Sequence, residues 1–476
     1  MNKLQLAPVE TGPEPGKEQH DQGIEKDTFH LSDVGNAQRL VGLYGDVVRY
    51  LYTWQCWFIW DGVRWLRDES GEILRYAKET IRCLYKDASC LTNEYDRLNL
   101  AKHALRSENE GRLRAMVNLA QSEPGIPVTP DELDADPYVL NCSNGQLSLK
   151  TGNFKGHMEA DHRSSLCTKL VPVIFDPTAT CPTWDRFLLQ IMGGIEALVR
   201  YLQRAVGYGL TGNTSEQCLI LLYGLGANGK STFLNIIIKM LGDYAAQTPA
   251  ETLLAKRGES IPNDLARLKG SRFVVATEIS QGRKLNEALV KQATGEDRIC
   301  ARFMRAEWFE YQPQFKLFIG TNHKPIIRGS DYAIWRRMRL VPFTVTIPPE
   351  DQDKDLFRKL LIELPGILNW ALKGCIEWQR DGLQEPPEVI TATEGYREEM
   401  DQLSGFIADR CLEGDREHVT ARELYSSYRE WCEENGENPI TQKMLGLVLK
   451  DRGLKSKRSG PKGSNEWWGI SINEIY

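Results

Sequence analysis

A glycine-rich segment between two apolar runs constrains this chain most strongly. Residues 224–231, Gly-Leu-Gly-Ala-Asn-Gly-Lys-Ser, follow a strand-like run and precede a helix-like one. Glycines let the backbone wrap around a phosphate, and the first N–H groups of a following helix add positive potential. We therefore predict a loop that binds ATP, with Lys230 on the β- and γ-phosphates and Ser231 on Mg²⁺. The predicted nucleotide-binding residues are Gly224, Ala227, Asn228, Gly229, Lys230, Ser231 and Thr232.

Residues 216–345 alternate short apolar runs with helix-like segments. This alternation is typical of a parallel sheet with helical crossovers, so we predict an α/β core. The segments are Cys218–Tyr223, Lys230–Leu241, Arg272–Ala276, Glu287–Thr294 and Phe315–Gly320.

Polar residues follow two of these predicted strands. Glu278 comes after the run that ends at Ala276, and Asn322 after the run that ends at Gly320. Ligands of parallel sheets bind beyond the carboxyl ends of the strands. We expect Glu278 to activate water or help to hold Mg²⁺, and Asn322 to orient that water or contact the γ-phosphate.

Three arginines lie in the segment Trp-Arg-Arg-Met-Arg at 335–339. An arginine supplied across a subunit boundary can stabilise the charge on a transferred phosphoryl group. We favour Arg337 for this role, with Arg336 as the alternative. Surface ion pairs would be the simpler explanation of the cluster.

Charge and cysteine content exclude several classes of protein. The 59 Lys and Arg against 65 Asp and Glu give a net charge of −6, which excludes an overall basic coat but not a local basic patch. Such a patch lies near the C-terminus, where we predict DNA contacts at Lys455, Lys457, Arg458 and Lys462.

No apolar run reaches the roughly 18–20 residues of a membrane span. Eleven cysteines without a Cys-x-x-Cys pair indicate reduced thiols in a cytosol-like compartment and no zinc site.

We predict four segments along the chain. They are a disordered tail at 1–28, a mostly helical domain with an aromatic hairpin at 29–180, the ATPase at 181–385 and a DNA-binding domain at 386–476. The hairpin prediction rests on the tryptophans on both sides of Asp61-Gly62.

Five motifs in order resemble one family. They are LYGLGANGKSTF, NDLARLKGSRFVVATE, KQATGEDRICARF, PQFKLFIGTNHKP and DYAIWRRMRLVPF. Together they resemble the superfamily 3 helicases, and in particular the phage and plasmid primase–helicase group, which is related to the poxvirus primase–helicase. The resemblance extends over roughly residues 50–475, because WFIWDGVRW, DPYVLNCSNGQLSLKTG and the segment from Val419 to Gly453 also match.

The resemblance implies a P-loop AAA+-like ATPase core, an N-terminal helical domain and a C-terminal winged helix. It also implies a homo-hexameric ring with ATP between subunits, which translocates 3′ to 5′ on single-stranded DNA in a central channel. The C-terminal domain would contact the duplex or the fork. A channel hairpin would carry Arg302 and Arg305, with Arg305 at its tip.

The chain departs from the larger family members in one respect. Only about 50 residues precede the aromatic hairpin, too few for a primase module, so we expect a separate primase or polymerase as partner. We predict a replicative helicase of a phage, plasmid or other mobile element in the cytoplasm of a bacterial host. The alternatives are an initiator that uses ATP only to assemble on DNA, a small-molecule kinase and a DNA-packaging motor.

Overall fold

The computed structural model describes residues 29–255, 263–302, 308–327, 332–436, 439–459 and 464–473. The predicted disordered tail at 1–28 lies outside this range. The chain forms two compact units, of which the first comprises residues up to Ile59 together with Arg67–Thr129, and the second comprises Trp60–Leu66 and the residues from Pro130 onward.

The elements are numbered in chain order. The helices are α1 Asp33–Tyr44, α2 Glu72–Cys90, α3 Glu94–Ser107, α4 Glu110–Ala120, α5 Pro182–Ile191, α6 Glu196–Leu210, α7 Lys230–Leu241, α8 Asn263–Ala266, α9 Glu287–Thr294, α10 Tyr332–Trp335, α11 Leu356–Ile362, α12 Leu364–Asp381, α13 Pro387–Met400, α14 Gln402–Arg410, α15 Ala421–Glu434 and α16 Gln442–Asp451. The strands are β1 Val48–Leu51, β2 Cys56–Trp60, β3 Trp65–Arg67, β4 Val139–Cys142, β5 Gly145–Ser148, β6 Phe154–Gly156, β7 Leu219–Tyr223, β8 Ala245–Pro249, β9 Phe273–Thr277, β10 Ile299–Ala301, β11 Phe309–Tyr311, β12 Lys316–Thr321, β13 Met338–Pro342, β14 Cys411–Thr420, β15 Lys455–Ser459 and β16 Ser464–Ile472.

The first unit is mostly helical. Its core is formed by the inner faces of α1, α2 and α4 together with the β1–β2 pair, and it includes Leu40, Val48, Ala77 and Met116. The spacing of the apolar residues in α2 places them on one face, because residues three and four apart are neighbours on a helix. The N-terminus of α1 is capped by Ser32, whose hydroxyl accepts a hydrogen bond from the backbone N–H of Gly35.

The second unit is built around a five-stranded parallel sheet in the order β13-β7-β12-β9-β8. The three central strands, β7, β12 and β9, are buried on both faces, which is why they appear in the sequence as continuous apolar runs. The α/β prediction is confirmed. Because β12 lies between β7 and β9, its carboxyl end separates the glycine-rich loop after β7 from the acid after β9.

A three-stranded antiparallel sheet, β4-β5-β6, packs into the same core as α5, α6 and α12. The Arg272 guanidinium joins this sheet to the central one, since it donates hydrogen bonds to the carbonyl oxygens of Val139 and Leu210. The second compact unit resumes at Pro130 and includes this sheet, whereas the sequence predicted the boundary between the helical domain and the ATPase at residue 180.

The C-terminal elements have a core of their own. Helices α14, α15 and α16 pack on a sheet in the order β14-β16-β15, around Phe406, Leu424, Tyr428 and Trp467. Helix α13 instead packs on the edge strand β13, and the Thr393 hydroxyl accepts a hydrogen bond from the backbone N–H of that strand at 3.0 Å. This separate core therefore begins after residue 400, whereas the predicted C-terminal domain began at 386.

In the described part of the chain, no helix has both the length and the apolar character required to cross a membrane. All eleven cysteines are among the described residues, and none of them forms a disulfide bond.

Candidate nucleotide-binding site

The glycine-rich loop joins β7 to α7 and has an unusual backbone. Gly226, Ala227 and Gly229 have φ angles of +117°, +48° and +78°. An ordinary residue followed by a left-handed one, as at Asn228 and Gly229, turns successive N–H groups towards one side, which forms a concave site for anions. Helix α7 begins at Lys230, and its N-cap Gly229 has no side chain to satisfy the first N–H groups. The loop and the helix terminus together offer these donors to a phosphate.

Two of the loop glycines are required by close contacts. A Cβ atom on Gly224 would lie 2.2 Å from Nδ2 of Asn228 and 2.4 Å from the carbonyl oxygen of Phe343. A Cβ atom on Gly229 would lie 2.5 Å from Cγ2 of Ile191. The space around Gly226 is open, so only its φ angle requires glycine.

Lys230 is the central cation of the site. Its Nζ atom donates hydrogen bonds to the carbonyl oxygen of Gly224 at 2.7 Å, to Oδ1 of Asn228 at 2.9 Å and to Oδ1 of Asn322 at 3.0 Å. The residue is only 6% exposed, and burial lowers the pKa of its amine to about 8. All three partners are neutral oxygens, so an anion in the site would gain a strong interaction with this poorly solvated charge.

A cavity of about 700 Å³ opens beside Lys230. Ser231, Glu278 and Asn322 line it together with Lys230, whereas the predicted catalytic residues Arg336 and Arg337 do not. Three other predicted nucleotide-binding residues, Ala227, Gly229 and Thr232, line a second cavity of about 760 Å³. Asn228 is buried beneath the loop and contacts Lys230.

Glu278 has a strained backbone. Its φ angle is +64°, which costs a residue with a side chain roughly 1–2 kcal/mol. The backbone N–H of Glu278 donates to the carbonyl oxygen of Gly320 at 3.1 Å, and this bond holds the residue at the junction of β9 and β12. Strain of this kind persists where it sets the direction of a functional side chain.

The ligand set suits Mg²⁺ bound together with a nucleotide. The Ser231 hydroxyl and the Glu278 carboxylate are hard oxygen donors, and they line the same cavity. Among the described residues, no three His, Cys, Asp or Glu side chains form a group that could hold a metal by themselves. Phosphate oxygens and water would therefore have to complete the coordination, as is usual for Mg²⁺.

Sequence reasoning missed several residues that line these cavities. Gln247 on β8 lines the first cavity because β8 pairs with β9, a register that no local signal in the sequence reveals. The second cavity is lined by Phe187 and Gln190 of α5 and by Phe357 of α11, which lie far from the loop in the sequence.

The three arginines near β13 have different surroundings. Arg337 is 8% exposed and donates hydrogen bonds to the carbonyl oxygen of Ala333 at 2.8 Å and to Oε1 of Gln217 at 3.3 Å. Arg339 forms an ion pair with Glu385. Arg336 is exposed, and its guanidinium donates a hydrogen bond to the same Oε1 atom of Gln217 at 3.4 Å. Of the two candidate arginines, the one that the sequence favoured, Arg337, is therefore the buried one.

Two regions carry the predicted DNA contacts. Strands β10 and β11 form an antiparallel hairpin between β9 and β12 along the chain. Next to it, the Arg302 guanidinium lies over the exposed Trp308 ring, 4.7 Å from the ring centroid. Arg305 and Lys462 lie outside the described residues. Lys455, Lys457 and Arg458 are exposed on β15.

Comparison with known families identifies three matching regions. Residues 37–193 match the family described as D5 N terminal like, and residues 398–457 match the family described as Poxvirus D5 protein-like. Residues 222–337, which contain the loop, match a family of unknown function, DUF5906.

Two of the three matched regions, residues 37–193 and 398–457, are thus similar to D5-type domains. This result confirms the resemblance drawn from the motifs.

Individual relatives come from large DNA viruses. The chain is 26% identical over 82% of its length to "Putative helicase L207/L206" of Acanthamoeba polyphaga mimivirus and 29% identical over 58% to "Putative helicase 022R" of Frog virus 3. It is 26% identical over 64% to "Putative primase C962R" of African swine fever virus, strain Badajoz 1971 Vero-adapted. These matches cover 45%, 30% and 34% of the relatives, so the chain spans less than half of their length. The relatives are viral proteins, and the phage or plasmid origin and the bacterial host remain predictions.

A solved structure, the apo form of the NrS-1 C-terminal region, aligns with 94% of this chain and 100% of its own, at 11% identity and a TM-score of 0.47.

Proposed function

We propose that this chain is the ATP-driven helicase part of a DNA replication protein. The observation that carries the proposal is the position of Lys230, whose amine is buried at the start of α7 and bonded to Asn322 beside a cavity that Ser231 and Glu278 also line. An ATPase needs these groups together on one side of a phosphate loop. The names of the viral relatives, helicase and primase, support the choice of DNA as substrate.

Each residue of the site has a proposed role. Bound Mg-ATP would supply a γ-phosphate that is open to attack by water. Lys230 and the loop N–H groups would hold the phosphates, and the Ser231 hydroxyl and the Glu278 carboxylate would help to hold Mg²⁺. The Glu278 carboxylate accepts a proton from the attacking water, while Asn322 orients that water and contacts the γ-phosphate. The second cavity, beside Phe187 and Gln190, would receive the ribose and the base.

Assembly of several subunits would complete the site. Arg336 is exposed next to β13, so we propose that it reaches the ATP of a neighbouring subunit, where an arginine stabilises the charge that develops on the transferred phosphoryl group. This proposal includes the homo-hexameric ring of an AAA+-like superfamily 3 motor and movement in the 3′ to 5′ direction. The β10–β11 hairpin and Arg302 would then face single-stranded DNA in the channel.

We further propose that the C-terminal elements form a winged helix. Helices α15 and α16 are followed by the β15–β16 hairpin, which is the order of a helix pair with one wing. The exposed Lys455, Lys457 and Arg458 on β15 would contact phosphates of the duplex or the fork. A primase or polymerase supplied by another chain or another segment would be the functional partner.

Strand displacement tests the proposal. A forked DNA with a labelled strand and a single-stranded tail of one polarity is mixed with ATP and Mg²⁺, and wild type is compared with Lys230→Ala. We expect displacement only with wild type and only with the 3′ tail. Displacement with a 5′ tail alone would refute the direction, and equal displacement by Lys230→Ala would refute the assignment of the site.

The alternative function is an initiator that assembles on DNA with ATP but does not unwind it. The separate C-terminal core with its exposed basic strand favours this alternative, because such a module can bind duplex DNA by itself. ATP hydrolysis and ATP-dependent DNA binding without any strand displacement would support it.

A further inference from the structure

The segment immediately after Asn322 is fixed by an ion pair. Nζ of Lys324 lies 2.6 Å from Oε1 and 2.7 Å from Oε2 of Glu399, near the end of α13. The Lys324 side chain is only 17% exposed. Its amine also lies over two aromatic rings, 4.9 Å from the centroid of Tyr223 and 5.5 Å from that of Tyr396. Lys324, Glu399, Tyr223 and Tyr396 are called the Lys324 cluster below.

A second contact attaches the same segment to α13. The Tyr396 side chain is fully buried, and its hydroxyl donates a hydrogen bond to the carbonyl oxygen of Pro325. Its ring also meets the ring of Trp335 edge-on, with centroids 5.2 Å apart. Helix α13 therefore holds residues 324 and 325 through one charged and one neutral contact.

Two members of the Lys324 cluster adjoin, along the chain, residues on opposite sides of the nucleotide site. Lys324 is two residues from Asn322, whose Oδ1 atom accepts a hydrogen bond from Lys230. Tyr223 ends β7 and directly precedes Gly224, the first residue of the phosphate loop. A shift of Lys324 would therefore move the Asn322 amide relative to the glycine-rich loop that begins at Gly224.

The other end of α13 leads into the C-terminal elements. Asp401, the residue after α13, forms an ion pair with Arg452, and Arg452 also donates a hydrogen bond to the Ser404 hydroxyl at 2.8 Å. Arg452 follows α16 and lies three residues before Lys455 on β15. Helix α13 thus contacts residues 324 and 325, and the residue that follows the helix pairs with the segment leading to the predicted DNA contacts.

We propose that Lys324 is a positioning residue that holds Asn322 in its catalytic place through Glu399, and that α13 thereby couples ATP hydrolysis to DNA binding by the C-terminal elements. This inference rests on the proposed function. Lys324 lines neither of the two cavities beside the loop, so it acts on the reaction only through Asn322 and the phosphate loop.

A charge reversal separates positioning from simple stability. Lys324→Glu and Glu399→Lys each place two like charges together, whereas the double variant restores an ion pair of opposite orientation. We expect each single variant to lower kcat for ATP hydrolysis on the order of tenfold with KM changed less than about twofold, since a misplaced orienting group costs turnover rather than binding. The double variant should recover to within about threefold of wild type, and single-stranded DNA should stimulate kcat in it but not in the single variants.

Two further variants control for folding. Arg114→Glu reverses one charge of the Arg114–Glu110 pair, which is 2.8 Å long and exposed on α4, and it should leave kcat and its stimulation by DNA unchanged. Lys324→Met keeps an unbranched apolar side chain between the two rings but removes the charge. If Lys324→Glu does not fold, Lys324→Met should still show a lowered kcat at an unchanged melting temperature.

The outcomes distinguish this inference from the proposed function. If wild type hydrolyses ATP and folded Lys324 variants keep its kcat, or if the double variant recovers nothing, the inference is overturned and the proposed function stands. If wild type does not hydrolyse ATP with or without DNA, the proposed function fails and the inference fails with it.

Discussion

Replacement of Lys230 by Met should stabilise the protein when no nucleotide is bound. The amine is 6% exposed and has only neutral oxygen partners, so in the free protein its charge lacks most of the solvation that water would supply. Met has a similar length and no charge. The substitution that should abolish the proposed ATP binding should therefore also remove a source of instability.

The pKa of Lys230 gives the size of the effect. A fall of the pKa from 10.5 to about 8 corresponds to about 3 kcal/mol of unfavourable free energy for the charged folded protein. Water in the neighbouring cavity and the loss of three hydrogen bonds in the variant reduce the net gain to about 1–2 kcal/mol.

The effect should depend on pH in a defined direction. The penalty is fully present below about pH 8, where Lys230 is charged in both the folded and the unfolded protein. It decreases as the pH rises towards 10.5, because the folded protein then holds a neutral amine. At that pH the variant should have lost its advantage and be slightly less stable, since neutral Lys230 can still donate two of its three hydrogen bonds.

Thermal unfolding without nucleotide, from pH 7 to about 10.5, measures the difference. At pH 7 we expect the transition of Lys230→Met about 1–3 °C above that of wild type, because an unfolding entropy of about 2.1 cal/mol/K per residue gives about 1.3 °C per kcal/mol for a unit of roughly 350 residues. Lys239→Met is the matched control, because Lys239 is exposed on the same helix and should shift the transition little at any pH. A lower transition for Lys230→Met at pH 7, or a difference independent of pH, would refute this reasoning.

Two other predictions follow from the packing. Gly207→Ala should destabilise the second unit by about 3 kcal/mol or more, because its Cβ atom would lie 2.1 Å from a backbone nitrogen of α12. Gly395→Ala lies in open space on α13 and should stabilise the protein by about 0.5–1 kcal/mol. Urea unfolding of both variants measures this difference in the free energy of unfolding. Arg337→Ala should lower the melting temperature, because the substitution removes buried hydrogen bonds. Arg336→Ala should leave the melting temperature and ATP binding unchanged, and it should lower kcat about 10³-fold or more. Equal melting temperatures together with a larger loss of kcat in Arg337→Ala would return the catalytic role to Arg337.

Local patterns predicted the central elements closely. The helix predicted at Lys230–Leu241 is α7 with the same bounds, and the one predicted at Glu287–Thr294 is α9. The predicted strands match β7, β9 and β12 to within one residue at each end. These elements are regular in sequence because each is either buried on both faces or amphipathic, so burial alone produces the pattern.

Domain boundaries were less predictable. The proline-rich stretch before α5 resembles a linker, yet residues on both of its sides bury their side chains in one core, among them Leu140, Leu147, Trp184 and Tyr201. Similarly, α13 follows two prolines and looks like the start of a new domain, but it covers the edge of the central sheet. Contacts between residues distant in sequence decide such boundaries, and composition does not record them.

The sequence by itself determined which residue types the candidate site contains. The glycine spacing, the lysine and the polar residues after two strands predict a phosphate loop because such a function follows from backbone freedom, charge and position at a strand end. Only the tertiary structure decided how these groups are arranged. Because β12 lies between β7 and β9 in the sheet, Asn322 contacts Lys230. The packing of α10 and β13 buries Arg337 and leaves Arg336 exposed. Helix α13 supplies Glu399, which forms an ion pair with Lys324. Strand order, burial and ion pairs between distant residues arise from packing of the whole chain, and a linear motif contains no record of them.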